Sequence, residues 1–271
     1  PPPILPPFPT RRSSDLSVSI SHMPDNDDVS CLDVDPDGRL WMGFDSQGAA
    51  SVAEGYLPPA VLRLQSFLTR LTTRHGGLSS NQVVCTLRDS QGRRWWGSYG
   101  GDLLYMDASL RPCRIADTRL HQVISMQEDD RGHIWIGTFY DGAYLLDPTT
   151  SSIVLSITIA NSSLSTGCIS QLLWDDSRHR LYMATNDGLY VFDRDRDSLH
   201  CLTRGINVRS ILLTADKRTL WVGLDNGLVA YDPDHAAPIA TLTVRDGLSH
   251  NTNFALAEDE YRSGWGSTKH G

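Results

Sequence analysis

A tryptophan-centred signature recurs about every 45 residues along this chain, and a segment repeated at that period folds as an array of supersecondary units. The copies read GRLWMGF (Gly38 to Phe44), GRRWWGS (Gly92 to Ser98), GHIWIGT (Gly132 to Thr138) and TLWVGL (Thr219 to Leu224). A fifth is altered to RLYMAT (Arg180 to Thr185), and the last, GWGST (Gly264 to Thr268), has Arg262 where a turn glycine is expected. Taking Trp41, Trp95, Trp135, Tyr182, Trp221 and Trp265 as equivalent, the spacings are 54, 40, 47, 39 and 44 residues.

Each copy is preceded by an alternating apolar stretch that runs into an acidic turn, as in VSCLDVDPDG, VVCTLRDSQG and VISMQEDDRG. Period-two alternation bounded by Asp, Pro, Ser and Gly predicts a strand and a tight hairpin, with the tryptophan segment as the returning strand. A second turn follows, NDG at Asn186 to Gly188 or DNG at Asp225 to Gly227, where Asn-Gly and Asp-Gly are expected to supply positive φ angles. A third strand (GLYVFD, GLVAYD) and a less regular fourth (Ser152 to Ala160, Pro238 to Val244) complete a four-stranded antiparallel meander.

Segments such as Leu40-Trp41-Met42 and Ile134-Trp135-Ile136 put apolar side chains on both faces of the sheet, so each sheet must be covered by its neighbours. Radial stacking gives an all-β fold, a β-propeller of four-stranded antiparallel blades. Repeats starting near 29, 83, 123, 170, 208 and 253 give five complete blades plus a partial sixth, read as an incomplete ring. The tryptophans are expected as core residues between blades, and Trp135→Ala should cost roughly 3 to 5 kcal/mol.

Residues 17–271 are assigned to the propeller, with SVSIS (Ser17 to Ser21) as a candidate outer strand. The first 16 residues break in composition from the rest, and FPTRRSSDL resembles the translation of a sequencing-adapter oligonucleotide. They are read as non-native or disordered. This leaves the true ends of the protein open, and no signal peptide is visible.

At 271 residues and 40% hydrophobic content the chain can bury a sizeable core, and no run approaches the eighteen or more apolar residues of a membrane helix. A net charge of -8 and only short basic clusters, such as Arg63, Arg70, Arg74 and His75, argue against nucleic acid as a partner. Five cysteines (Cys31, Cys85, Cys113, Cys168, Cys201) form no CxxC pair or metal spacing and are read as small buried residues. No metal or cofactor is expected.

The repeat resembles that of the two-component regulator propeller, whose pattern runs approximately N-x-V-x-x-I-x-x-D-x-x-G-x-L-W-I-G-T, then G-L and an aromatic-Asp pair. Asn81 to Asp107 and Val123 to Asp147 follow it, and an introductory GLSxN occurs at Gly77 to Asn81 and Gly247 to Asn251. The resemblance implies the periplasmic or extracytoplasmic sensor region of a hybrid two-component histidine kinase of the Bacteroidetes type. Such regions sense oligosaccharides released from glycans. The implied partners are an oligosaccharide or small-molecule ligand, C-terminal transmembrane and kinase regions of the same protein, and a second copy in a homodimer. No kinase motif occurs, so the chain is not read as an enzyme by itself. A single Trp174-Asp175 pair disfavours the WD-repeat alternative.

Loops joining second to third strands and one blade to the next emerge on one face of such a fold, where binding residues concentrate. They carry the expected ligand contacts Phe44, Asp45, Tyr99, Phe139, Tyr140, Asp141, Asn186, Asp187, Asp225 and Asn226. Aromatic faces beside amides and carboxylates suit a sugar ring, although Asn186, Asp187, Asp225 and Asn226 are also what hairpin turns demand by themselves. No HxH or HExxH spacing supports catalysis. The turn carboxylates Asp35, Asp89, Asp129, Asp176 and Asp259 are assigned to capping the first hairpin. A carbohydrate-active enzyme and a protein-interaction platform are the alternative readings.

Overall fold

In the computed structural model the described residues are 28–52, 69–74, 77–107, 109, 111–259 and 261–268. The adapter-like segment, SVSIS, Arg63 and His75 lie outside them. Six antiparallel sheets follow one another along the chain. The first holds β1 (Val29–Val34), β2 (Leu40–Phe44), β3 (Ala49–Val52) and β4 (Thr69–Leu71), and the second β5 (Val83–Arg88), β6 (Arg94–Ser98), β7 (Leu103–Met106) and β8 (Pro112–Ile115). The third is β9 (Val123–Glu128), β10 (Ile134–Thr138), β11 (Ala143–Asp147) and β12 (Ser152–Ile157). The fourth is β13 (Ile169–Asp175), β14 (Arg180–Thr185), β15 (Gly188–Asp193) and β16 (Ser198–Arg204). The fifth is β17 (Val208–Leu213), β18 (Leu220–Leu224), β19 (Gly227–Asp232) and β20 (Ala237–Leu242), and a hairpin of β21 (Asn253–Glu258) and β22 (Gly264–Thr268) ends the series.

These residues divide into two compact units, one holding 28–160 with Gly167–Ile169, the other Asn161–Thr166 and the chain from Ser170 onward. In the first unit Trp41, Leu71, Val83, Trp96 and Met106 form one core cluster, and Trp95, Ile115, Val123, Ile134 and Tyr144 another. In the second, Tyr182, Leu189, Val208, Val222 and Val229 pack together, and Trp221 and Leu228 gather Leu242 and Leu256. Each cluster draws on consecutive sheets, so the two-faced apolar pattern is satisfied by stacking. Trp41, Trp95, Trp135, Tyr182 and Trp221 are buried, whereas Trp265 in the last hairpin remains 38% exposed.

The first hairpin of four of the sheets shares one chemistry. Asp89 N–H donates to the Arg93 carbonyl (3.0 Å) and Gly92 N–H to the Asp89 carbonyl (2.9 Å), and Asp35, Asp129 and Asp259 repeat this loop. One residue in it must adopt positive φ, and Gly38, Gly92 and Gly132 do so at 78°, 80° and 76°. His179, Lys217 and Arg262 take the same left-handed conformation without being glycine, so the turn keeps its backbone where the glycine is missing. In the fourth sheet the capping carboxylate is Asp175, not Asp176. Asp175 is fully buried and accepts the Ser177 N–H at 3.0 Å, while Asp176 is exposed and pairs with Lys217 at 3.0 Å. That turn is one residue longer, so the position of the carboxylate relative to the aromatic shifts by one. In the fifth sheet the Thr214 hydroxyl accepts the Thr219 N–H (3.0 Å) in its place.

The glycine of W-x-G has a packing cause. A Cβ on Gly97 would lie 2.4 Å from Cys85 Sγ and 2.8 Å from the Val123 carbonyl, and one on Gly43 2.5 Å from Cys31 Sγ. Small residues on the first strand occupy that space and reach onward: Cys85 Sγ donates to the Val123 carbonyl (3.7 Å), and Ser170 Oγ to that of Val208 (3.1 Å). Burial pushes the Cys31 thiol up to about 11, and that of Cys85 well above its usual range. Cys201 departs from the buried reading, since it is exposed on the outer strand β16.

Carboxylates tie neighbouring sheets at the same end. Glu128 accepts the Ser90 N–H (2.8 Å) and hydroxyl (2.6 Å), and Glu258 accepts the Ala215 N–H (2.6 Å). Arg94 is buried where the other copies place Leu40, Ile134, Leu181 or Leu220, and its guanidinium is bonded by Asp33 and Asp35 of the first sheet.

Candidate functional site: an aromatic loop surface in the first unit

The loops between second and third strands differ in length, and that difference sorts the expected contact residues. In the fourth and fifth sheets the turn is tight: Thr185 pairs with Gly188 and Leu224 with Gly227. The glycines of Asp187-Gly188 and Asn226-Gly227 supply the positive φ (144° and 148°), while Asn186, Asp187, Asp225 and Asn226 themselves stay at negative φ. A Cβ on Gly188 would lie 2.0 Å from the Thr203 carbonyl, which is why glycine ends the turn. Asp187 accepts the Ser165 hydroxyl at 2.5 Å, Ser165 in turn touches the buried Tyr190 hydroxyl at 2.7 Å, and Asp225 is paired with Arg209. These carboxylates serve local structure.

In the second and third sheets the loops are longer and carry aromatic side chains. Thr138 closes its loop through both N–H (3.0 Å) and hydroxyl (2.9 Å) to the Gly142 carbonyl and accepts the Asp141 N–H at 2.9 Å. The loops are anchored at their bases by Tyr99 N–H to the Gln82 carbonyl (2.9 Å) and Phe139 N–H to the Gln122 carbonyl (3.1 Å). The result is a contiguous cluster. Tyr99 and Phe139 meet edge to face with ring centroids 5.5 Å apart, Phe139 and Tyr140 do so at 4.7 Å, and the Tyr99 and Tyr140 hydroxyls approach to 3.5 Å. That hydroxyl contact raises the Tyr99 phenol above its ordinary value. Tyr140 is 60% exposed, so the cluster presents ring surface to solvent.

Polar groups border it. Asp45, exposed, accepts the Gln82 amide N–H at 2.9 Å, and Asp141 is exposed beside Tyr140. Phe44 does not join them: it is 3% exposed at the end of β2 and belongs to the core. Gly167 was not singled out by the sequence, yet it sets the cluster. Its carbonyl accepts the Gly142 N–H (2.9 Å), and a Cβ on Gly167 would lie 1.6 Å from the Tyr140 carbonyl oxygen. The two GLSxN asparagines also turn inward, Asn81 accepting the Thr73 N–H and Asn251 the Val244 N–H, both at 2.8 Å.

At the opposite, hairpin end of this unit a cleft of about 320 Å³ is lined by Asp35, Trp41, Arg88, Arg94, Met106 and Asp107 among others. Its charges are largely engaged with protein: Arg88 lies 3.3 Å from Asp35, and Asp107 accepts the Ser109 (2.8 Å) and Arg111 (3.0 Å) N–H groups. We therefore place the candidate site at the aromatic loops, where ring faces are open. Among the described residues no group of three His, Cys, Asp or Glu side chains could hold a metal ion, and no helix is long and apolar enough to cross a membrane.

Consecutive four-stranded meanders with interleaved cores are the blades of a β-propeller. Solved structures share the fold. The extracellular domain of BT4673 from B. thetaiotaomicron, described as a hybrid two component system, is similar with a TM-score of 0.67 at 15% identity, over 89% of this chain and 36% of that one. That of BT3049 from the same organism, described likewise, gives 0.54 at 19%, over 91% and 39%. A chain of a mitotic checkpoint complex gives 0.71 at 12%, over 95% and 77%. This chain thus spans little more than a third of the two bacterial domains. No curated protein matches it in sequence. Residues 120–140, at the heart of the third repeat, match the family model described as two component regulator propeller. That stretch is similar to one repeat of the two-component regulator propeller, and the solved structures share the propeller fold.

Proposed function

We propose that this chain is a ligand-binding sensor module of a two-component signal transduction protein, and that the Tyr99, Phe139 and Tyr140 surface receives an oligosaccharide derived from a glycan. The observation that carries the reading is the exposed edge-to-face cluster on loops longer than their turns require. Bulky aromatics are not needed to close a turn, whereas an apolar floor with a few polar groups at its margin is the usual design of a small-ligand site. Sugar rings offer C–H groups to such a floor and hydroxyls to Asp45, Gln82 and Asp141. Occupancy would be conveyed to a histidine kinase region of the intact protein, with the propeller outside the cytoplasm. Likeness to extracellular domains described as two component systems supports that setting.

The test is incubation of the chain with a panel of oligosaccharides, read by thermal stabilisation and by product analysis. Stabilisation without turnover, lost in Tyr99→Ala and Tyr140→Ala, is the expected result. Turnover would instead favour a carbohydrate-active enzyme, and stabilisation indifferent to both substitutions would remove the site from these loops.

A further inference from the structure

We propose that this aromatic surface selects uncharged oligosaccharides and discriminates against acidic ones, those bearing uronate or sulfate groups; the proposal rests on the reading of the surface as a sugar site. The charges around the cluster point this way. Asp45 and Asp141 are both exposed, and among the described residues no Lys or Arg is paired with either. Asp45 is joined to the cluster through Gln82, whose carbonyl anchors Tyr99 and whose amide donates to the carboxylate. Three cations near these loops are bonded to protein. Arg119 is bonded to Asp117 at 2.7 Å, Arg114 donates to the Gly77 carbonyl at 3.3 Å, and His121 lies 3.2 Å from Asp102. An anionic sugar on these rings would therefore meet two carboxylates, while these three described cations, already bonded to protein, are not free to recognise a carboxylate or sulfate in a bidentate manner.

The magnitude follows from Coulomb's law. Like charges about 4 to 8 Å apart in water weaken binding roughly two- to sixfold per pair. Two carboxylates should therefore disfavour an acidic ligand by about tenfold at low salt, and screening over about 8 Å at physiological ionic strength should reduce the difference. Neutral sugars lose nothing, since a carboxylate is a good acceptor for their hydroxyls.

The experiment is calorimetric titration of the whole chain at low and physiological salt with pairs of trisaccharides alike except that a C6 carboxylate replaces the C6 hydroxymethyl group. The expected result is tighter binding of the neutral member by about tenfold at low salt, a smaller gap at higher salt, and near-equal binding by the Asp45→Asn/Asp141→Asn double variant. Equal or tighter binding of the acidic member, still abolished by Tyr140→Ala, would overturn the charge selection and leave the sugar site standing. Absence of binding by every neutral member, or binding unaffected by Tyr140→Ala, would overturn both.

Discussion

The Asp89 carboxylate accepts the indole N–H of Trp95 at 2.8 Å, and both side chains are buried. The same bond joins Asp35 to Trp41 (2.7 Å) and Asp259 to Trp265 (2.9 Å), each pair six residues apart. Acid, turn glycine and tryptophan are thus one bonded element. The carboxylate that caps the hairpin, accepting the Gln91 and Arg93 N–H groups at 3.1 and 2.8 Å, also fixes the ring that fills the space between sheets.

Asp89→Ala should destabilise the chain by about 3 kcal/mol, because a buried indole N–H, two turn amides and the Arg93 guanidinium lose their acceptor together. Asp259→Ala, whose Trp265 partner is exposed, should cost clearly less. Urea denaturation of both variants measures the contrast, and equal losses would count against the bonded element.

Gly97→Ala should cost about 1 to 3 kcal/mol by overpacking against Cys85 Sγ. Adding Cys85→Ala should restore only part of the loss, since the Val123 carbonyl still crowds the new methyl group. Melting temperatures of the single and double variants decide it.

Acid should unfold the chain in a defined direction. Turn bonds hold several carboxylates below their ordinary value of 3.8: Asp107 through the Arg111 N–H, Asp147 through the Thr149 N–H and Asp259 through the Trp265 indole. A carboxylate with a lowered folded pKa contributes stability that is present above the unfolded value and lost as pH falls through the folded one. Melting temperature should therefore vary little from pH 7 to about pH 5 and decline progressively below that. A rise on acidification below about pH 5 would contradict the assignment.

Gly167→Ala should force the backbone at Tyr140 to shift, since the added methyl group would overlap its carbonyl oxygen. Oligosaccharide binding should fall at least as far as in Tyr140→Ala, with an added stability loss of about 1 to 3 kcal/mol. Titration alongside thermal unfolding separates the two effects.

Periodicity made the sheets legible. The alternation before each tryptophan marked the first strands, and the Asp and Gly clusters marked the turns, because strand pattern and turn chemistry are local properties. Partners across sheets were not legible: nothing in VISMQE says that Glu128 will cap the turn at Ser90, and nothing in GLSxN says that Asn81 folds back onto Thr73. At the loops, Tyr99, Phe139 and Tyr140 stood out as side chains that turns do not require. Phe44 looked equivalent by position, but it ends a strand on the core side, a distinction of one residue in register that sequence spacing does not resolve. Gly167 escaped notice because its constraint comes from a backbone oxygen 27 residues earlier in the chain.

The most direct measurement is a titration of the chain with a neutral oligosaccharide followed through the aromatic ring resonances. The account predicts shifts concentrated on Tyr99, Phe139 and Tyr140, with the buried rings of Trp95 and Trp135 unmoved. Shifts confined to Trp41 and the cleft beside Arg94, or saturation that leaves the three loop rings unchanged, would contradict it.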